Sequence, residues 1–164
     1  MRVLGIDVET TVQKAEKGLD NSPFNPDNYL VSCGIHWLGE ETGEYYFFNH
    51  NTAEYDAQAS YKAVQEAINQ ADILVGHNLK YDLLWLTETG FDIPCKGYCT
   101  MIGEYVLARG QKMPLSLSET AKRRKVTEKR SDLMEETFKK GIGYEAMDAG
   151  IVEEYGRGDV VTCL

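Results

Sequence analysis

The sequence has little of several features that mark specialised classes of protein. No hydrophobic run approaches the roughly 20 residues that a membrane-spanning helix needs, and Asp7 interrupts the N-terminal apolar run too early for a signal peptide. The four cysteines are too few for a disulfide scaffold, and no CxxC pair or histidine spacing indicates a zinc site. These absences predict a soluble, cytoplasmic protein with reduced thiols and no membrane partner.

Positive charge is scarce as well. The chain has 17 Lys and Arg against 26 Asp and Glu, which gives a net charge of -9. Because affinity for phosphates usually comes from Lys and Arg, this composition by itself argues against high-affinity binding of nucleic acid. Residues 122–130 are the exception, since they hold six of the 17 basic residues. A solvated helix face and a phosphate-guiding patch are both open interpretations of this segment.

What the sequence does contain is enough for one ordinary domain: 164 residues, of which 43% are hydrophobic. Residues 2–8 form a nearly continuous apolar run, which is typical of a strand buried on both faces. A polar stretch from Thr11 to Asn28 has the turn chemistry of a long loop. Two further strands are predicted at residues 29–38 and 44–49, joined by a segment of hairpin composition.

The second half of the pattern alternates helices with strands. A helix is predicted at residues 57–71, a strand at 72–76 and a second helix that begins near Leu79 and ends at Gly90. Residues 94–99 predict one more strand, and Thr100 is expected to cap a helix that runs to Arg109. Three further helices are predicted at about residues 116–125, 131–140 and 147–162. Strands that alternate with helices around a central first strand indicate an α/β domain with a mixed sheet.

Two acids close the first predicted strand. Alternate residues of a strand project to the same side, so Asp7 and Glu9 should lie next to each other at its carboxyl end. Two like charges this close raise each other's pKa and destabilise the fold unless a cation lies between them. Solvated acids at a strand end are the ordinary alternative.

Two further pairs of polar residues follow along the chain. Asn78 comes directly after an apolar strand and can cap the next helix, which places Asp82 one turn later near the sheet edge. Tyr155 and Asp159 are four residues apart in a predicted helix and share one face. Each pair alone has an ordinary explanation, namely a cap with a surface acid or a chance spacing. The ordered set of three motifs is more specific.

Together, Asp7–Thr11, His77–Asp82 and Tyr155-x3-Asp159 resemble the three exonuclease motifs of the DEDD superfamily of 3′-5′ exonucleases, in its tyrosine-bearing subgroup (DEDDy). The resemblance is greatest to the proofreading exonuclease domain of family A, phage-type DNA polymerases, and it spans nearly the whole chain. It implies an α/β, ribonuclease H-like fold with a five-stranded mixed sheet flanked by helices, forming a single domain over residues 1–164.

The resemblance also implies a site with two Mg²⁺ or Mn²⁺ ions. The metal-binding and catalytic acids would be Asp7, Glu9, Asp82 and Asp159. Tyr155 would orient the attacking water, and the substrate-binding residues would be Thr10, Thr11 and Asn78. Carboxylate and water ligands suit these hard cations, and two of them about 4 Å apart can activate a water and stabilise the leaving 3′-oxygen.

The implied function is a proofreading 3′-5′ exonuclease that releases nucleoside monophosphates from single-stranded or frayed DNA. Its partners would be a single-stranded DNA 3′ end and a DNA polymerase module, in cis or in trans, in the host cytoplasm if the protein comes from a phage. A ribonuclease D-like exoribonuclease and a non-catalytic nucleic-acid-binding module are the alternatives.

Two features depart from the family pattern. Gly156 and Gly158 lie inside the third motif, and each weakens a helix by about 1 kcal/mol relative to Ala, so a looser geometry is expected there unless packing compensates. The sequence also stops five residues after Asp159, whereas the last helix of the family continues. We therefore expect the final helix to extend beyond Leu164, in a longer chain or in a separate product of a split gene.

Overall fold

The computed structural model describes residues 1–16, 18–126, 134, 137 and 139–164. Its strands agree with the predicted order along the chain, with a short additional pair after the first strand. They are β1 (Val3–Thr10), β2 (Gln13–Ala15), β3 (Gly18–Asp20), β4 (Leu30–Trp37), β5 (Glu44–Phe47), β6 (Ile73–Gly76) and β7 (Lys96–Cys99).

The main sheet has five strands in the order β5-β4-β1-β6-β7. Strand β1 is central, antiparallel to β4 and parallel to β6. Strand β5 is antiparallel to β4, and β7 is parallel to β6. The sheet is therefore mixed, and the ribonuclease H-like α/β fold class that the resemblance implied is confirmed.

The helices flank this sheet. They are α1 (Ala57–Gln70), α2 (Leu79–Thr89), α3 (Thr100–Leu107), α4 (Leu117–Arg124) and α5 (Ala149–Cys163), with a 3-10 turn at Tyr144–Ala146. The predicted helix at residues 131–140 lies largely outside the described residues. No helix within the described part of the chain is both long and apolar enough to span a bilayer.

Three local predictions were wrong. The stretch from Thr11 to Asn28 is not all loop, because Gly18 adopts a φ of 89° and closes the hairpin between β2 and β3. Asn78 takes the predicted cap position of α2, but with a left-handed φ of 65°, and its side chain makes no capping hydrogen bond to any described residue. Thr100 is the first residue of α3, where its hydroxyl faces the Gly76 carbonyl oxygen at 3.3 Å, and Cys99 takes the cap position.

The two faces of β1 pack against different parts of the molecule. Leu4, Ile6 and Val8 point to one face and join the main core, to which α1 and α2 contribute Val64, Ile68, Trp85 and Leu86 among others. The intervening residues of β1 point to the other face, where α5 packs against β1 and β4. Because side chains alternate along a strand, Asp7 and Glu9 fall on the α5 face.

Helix α5 approaches the sheet closely because glycines form the contact. A Cβ added to Gly34 would lie 3.1 Å from the Gly156 carbonyl oxygen, and one added to Gly156 would lie 2.1 Å from Cε2 of Tyr45. Gly158 differs, since among the described residues no atom lies within 4 Å of its Cβ position. Gly156 therefore allows the close packing of α5 on the sheet, which is the compensation that the expectation for the third motif left open.

Candidate metal centre

Three carboxylates converge where β1 meets α5. Strand β1 supplies Asp7 and Glu9, and α5 supplies Asp159. One oxygen from each of the three lies within 4.8 Å of the others. Glu9 and Asp159 are buried, whereas Asp7 is half-buried. We call these three residues the acidic cluster. Such a set of oxygen donors is the kind that hard divalent cations prefer.

A fourth acid, Asp82, lies beside β1 but outside the group of carboxylate oxygens that lie within 4.8 Å of one another. The pairing of β1 with β6 runs from Val3 to Gly5, so the backbone N–H of Val8 lies beyond this ladder. The Asp82 carboxylate, in the first turn of α2, accepts a hydrogen bond from that N–H at 3.1 Å. Burial first, and then the charge of Asp7, raise the pKa of Asp82 well above its usual range. Asp82 therefore lies within electrostatic reach of the cluster.

The negative charge of the acidic cluster also affects the pKa values of neighbouring side chains. Burial raises the pKa of the Cys33 thiol and the Tyr45 hydroxyl, and the charges of Asp7 and Glu9 respectively are the next cause. The pKa of Cys163 is raised by burial and then by the charge of Asp7. Bound cations would offset this concentration of like charge, and the donor set fits hard divalent ions.

Tyr155 lies on α5, one turn before Asp159, and is half-buried. Its ring packs against that of Tyr144, with centroids 6.4 Å apart and the planes inclined at 41°. The observed helix puts the phenol and the Asp159 carboxylate on one face, as their spacing predicted.

Tyr144 is a residue that sequence reasoning missed. It lies in the 3-10 turn before α5 and donates a hydrogen bond to the Glu9 carboxylate. Burial, and then the charge of Glu9, raise the pKa of its hydroxyl. Nothing in the local sequence around Gly143 and Tyr144 has a periodicity that would have indicated this contact, because it depends on where the turn packs.

The predicted substrate-binding residues adjoin this region. The hydroxyls of Thr10 and Tyr81 are 2.6 Å apart, and the buried Thr11 hydroxyl lies 3.3 Å from the side-chain oxygen of Asn28. Both threonines therefore contribute to the local fold. Asn78 is exposed at the start of α2. Contact of these three residues with a substrate stays a prediction.

Part of the basic segment, residues 122–130, stabilises the fold. Arg123 and Arg124 lie in the last turn of α4 and form ion pairs with the buried Glu104 of α3, at 3.1 and 2.6 Å. Residues 127–130 of the segment lie outside the described residues. Two of its six basic residues thus hold α4 against α3, a role that neither sequence interpretation included.

Comparison with known proteins supports the fold. No protein-family model and no curated protein matches the chain. Among solved structures, one described as the apo form of the nuclease is similar over 98% of this chain and 67% of its own, with a TM-score of 0.69 and 15% sequence identity. At this level of identity, the similarity establishes the architecture.

Proposed function

We propose that the protein is a metal-dependent nuclease, and specifically a 3′-5′ exonuclease that releases nucleoside monophosphates from single-stranded or frayed DNA. The observation that carries this proposal is the convergence of Asp7, Glu9 and Asp159, with Asp82 beside Asp7. The fold shared with a nuclease supports it, as do the order and spacing of the three sequence motifs.

The four acids would hold two Mg²⁺ or Mn²⁺ ions. Held by these residues, such ions would supply Lewis-acid activation of a water and charge stabilisation for the leaving 3′-oxygen. Tyr155 would orient the attacking water from its position one turn before Asp159. The Tyr144 hydroxyl donates a hydrogen bond to the Glu9 carboxylate, and the Val8 N–H donates one to the Asp82 carboxylate. Both acids are therefore positioned before a substrate binds.

The overall charge bears on how the substrate is held. A net charge of -9 disfavours a long contact with a polyanion. We therefore propose brief binding of a DNA 3′ end at the acidic site, with a DNA polymerase module in cis or in trans as the source of further affinity.

Turnover of labelled oligonucleotides tests the proposal. Single-stranded DNA and RNA oligomers, carrying a label near the 3′ end, are incubated with the purified protein and Mg²⁺ or Mn²⁺. We expect mononucleotide release from DNA, and loss of that release on chelation or in Asp159→Asn. Asp92→Asn removes a charge from an exposed position and should retain activity. Undiminished activity in Asp159→Asn would contradict the proposal, and exclusive release from RNA would establish the exoribonuclease alternative.

Metal binding can also be measured without turnover. Because a divalent ion offsets repulsion among the acids, Mg²⁺ or Mn²⁺ should raise the melting temperature, by the equivalent of about 2.7 kcal/mol at a hundredfold excess over Kd. The shift should vanish in Asp159→Asn. If the protein binds oligonucleotides but shows neither turnover nor a metal-dependent shift of the melting temperature, the non-catalytic binding module is favoured.

A further inference from the structure

The segment between β3 and β4 exposes a large aromatic side chain. We call residues 20–28 the Phe24 loop. Phe24 is 67% exposed, and Leu19 just before the loop is 73% exposed. Leaving a large apolar side chain in water forgoes roughly 1.5–3 kcal/mol of burial free energy. An aromatic ring held in solvent on an ordered loop is therefore a candidate contact surface.

Hydrogen bonds within the Phe24 loop fix its shape. The Asp20 carboxylate accepts from the Ser22 backbone N–H at 2.8 Å and from the Asn25 side-chain amide at 2.9 Å. The Asn28 side-chain amide donates to the carbonyl oxygens of Asp20 and Ser22, each at 3.0 Å. The ring of Phe24 is thus presented by a preorganised loop, which lowers the entropy that binding would cost.

The loop is attached to the end of β1, which carries Asp7 and Glu9, and to α2, which carries Asp82. At its base, the backbone N–H of Thr11, two residues past Glu9, donates to the carbonyl oxygen of Tyr29, the residue before β4. Near its start, the Asn21 carbonyl oxygen accepts from the indole N–H of Trp85 at 3.2 Å. Trp85 lies three residues after Asp82 in α2. The loop is therefore held at the same end of the sheet as the acidic cluster.

The composition of the segment limits what Phe24 can bind. Residues 18–28 contain two Asp and no Lys or Arg, so the segment has no cation with which to hold a phosphate. Its attractive surface is the aromatic face, and stacking of a nucleobase on such a face contributes about 1–3 kcal/mol per base. A paired base inside a duplex does not offer its face in this way, whereas an unpaired base does.

We propose that Phe24 stacks on an unpaired nucleobase of the strand that enters the acidic site. This inference rests on the proposed function, since it assumes that a nucleic-acid strand reaches that end of the sheet. Stacking on any base is tolerant of sequence, so Phe24 would favour single-stranded over paired ends without selecting a base.

Binding without metal tests this inference separately from catalysis. A single-stranded DNA oligomer with 2-aminopurine near its 3′ end is titrated with the protein in excess chelator, and quenching of the fluorescence gives Kd. Phe24→Ala should weaken binding about 5- to 150-fold, the equivalent of 1–3 kcal/mol, and Phe24→Trp should restore it. Tyr105→Ala is the matched control, because Tyr105 is an aromatic of α3 with 65% exposure, and it should leave Kd unchanged.

Each outcome distinguishes the two proposals. Unchanged affinity in Phe24→Ala, or equal weakening for a blunt duplex and a single strand, would overturn the stacking role while turnover by the parent protein continued to support the nuclease. Failure of the parent protein to release mononucleotides, with the Phe24 effect on Kd intact, would overturn the exonuclease and retain the stacking contact.

Discussion

Two regions of this protein bury a carboxylate, and the pKa of the carboxylate is shifted in opposite directions in the two. Glu104, at 8% exposure, lies between two arginines, and the hydrogen bond from Arg124 is the main cause that lowers its pKa. Asp82, at 3% exposure, lies near Asp7, and burial followed by that like charge raises its pKa. The first carboxylate is stabilised in its charged form, and the second is destabilised in it.

The difference separates an ion-paired arrangement that joins two helices from the arrangement that we propose to be functional. Glu104 joins α3 to α4 through ion pairs whose charges compensate each other. The acidic cluster gathers charges of one sign, an arrangement that costs free energy unless a cation is bound, and strongly shifted pKa values are frequent at functional sites. Substitutions at the two regions should therefore have effects of opposite sign on stability.

The largest expected effect is on turnover. Asp7→Asn removes one charge of the proposed metal site, and we expect the proposed nuclease activity to fall roughly 10³-fold or more because transition-state stabilisation is lost. The same change relieves repulsion on Asp82, so the metal-free protein should become more stable by about 1 kcal/mol. Activity assays and urea unfolding in chelator measure the two effects. A loss of metal-free stability in Asp7→Asn would contradict the like-charge interpretation.

The next effect concerns the helix that completes the cluster. Gly156→Ala places a methyl group into the ring of Tyr45, and the resulting shift of α5 should lower the free energy of unfolding by about 3 kcal/mol. It should also reduce the stabilisation by Mg²⁺, since Asp159 moves with the helix. Gly158→Ala is the control on the same helix, and its better helix propensity should raise stability by about 1 kcal/mol. Similar effects of both substitutions would refute the packing role of Gly156.

The third prediction concerns Glu104, whose charge is paired with Arg123 and Arg124. Glu104→Gln should lower the free energy of unfolding by about 1–3 kcal/mol at pH 7, because charge-assisted hydrogen bonds to the two arginines are weakened. The folded pKa of Glu104 lies below its ordinary 4.5. Its contribution is therefore complete above pH 4.5 and is lost as the pH falls through the folded value. Urea unfolding at pH 7, 5 and 3 should show the difference between parent and variant shrinking; a constant difference would exclude the ion pair as its cause.

The smallest expected effect comes from the tyrosine that holds Glu9. Tyr144→Phe removes the hydroxyl and keeps the ring, so stability should change by no more than about 1 kcal/mol. Affinity for Mg²⁺ or Mn²⁺ should fall about 10-fold, as is usual when a ligand loses its supporting hydrogen bond. Melting temperature against metal concentration measures this, and Tyr105→Phe on the exposed face of α3 should leave the curve unchanged.

Much of the fold was predictable because it depends on local patterns. The apolar run of β1, the helical spacing of α1 and the left-handed Gly90 that ends α2 each follow from side-chain periodicity or backbone freedom. The errors were also local. Asn78 and Thr100 have the chemistry of caps, but Asn78 makes no capping hydrogen bond from the cap position and Thr100 is the first residue of its helix. Capping preference is worth about 1 kcal/mol and is easily overridden.

The sequence by itself determined the strands of the main sheet, the order of the strands and helices, and the identity of the candidate acids, but not the hairpin of β2 and β3. It placed Asp7 beside Glu9, because the alternation of a strand is a local property, and it placed Tyr155 on the face of Asp159. Only the tertiary structure decided that these pairs meet, since this depends on how closely α5 lies against β4, and that closeness depends on the contact of Gly34 with Gly156. Burial and proximity of like charges, which set the chemistry of the cluster, exist only once the helix has packed on the sheet.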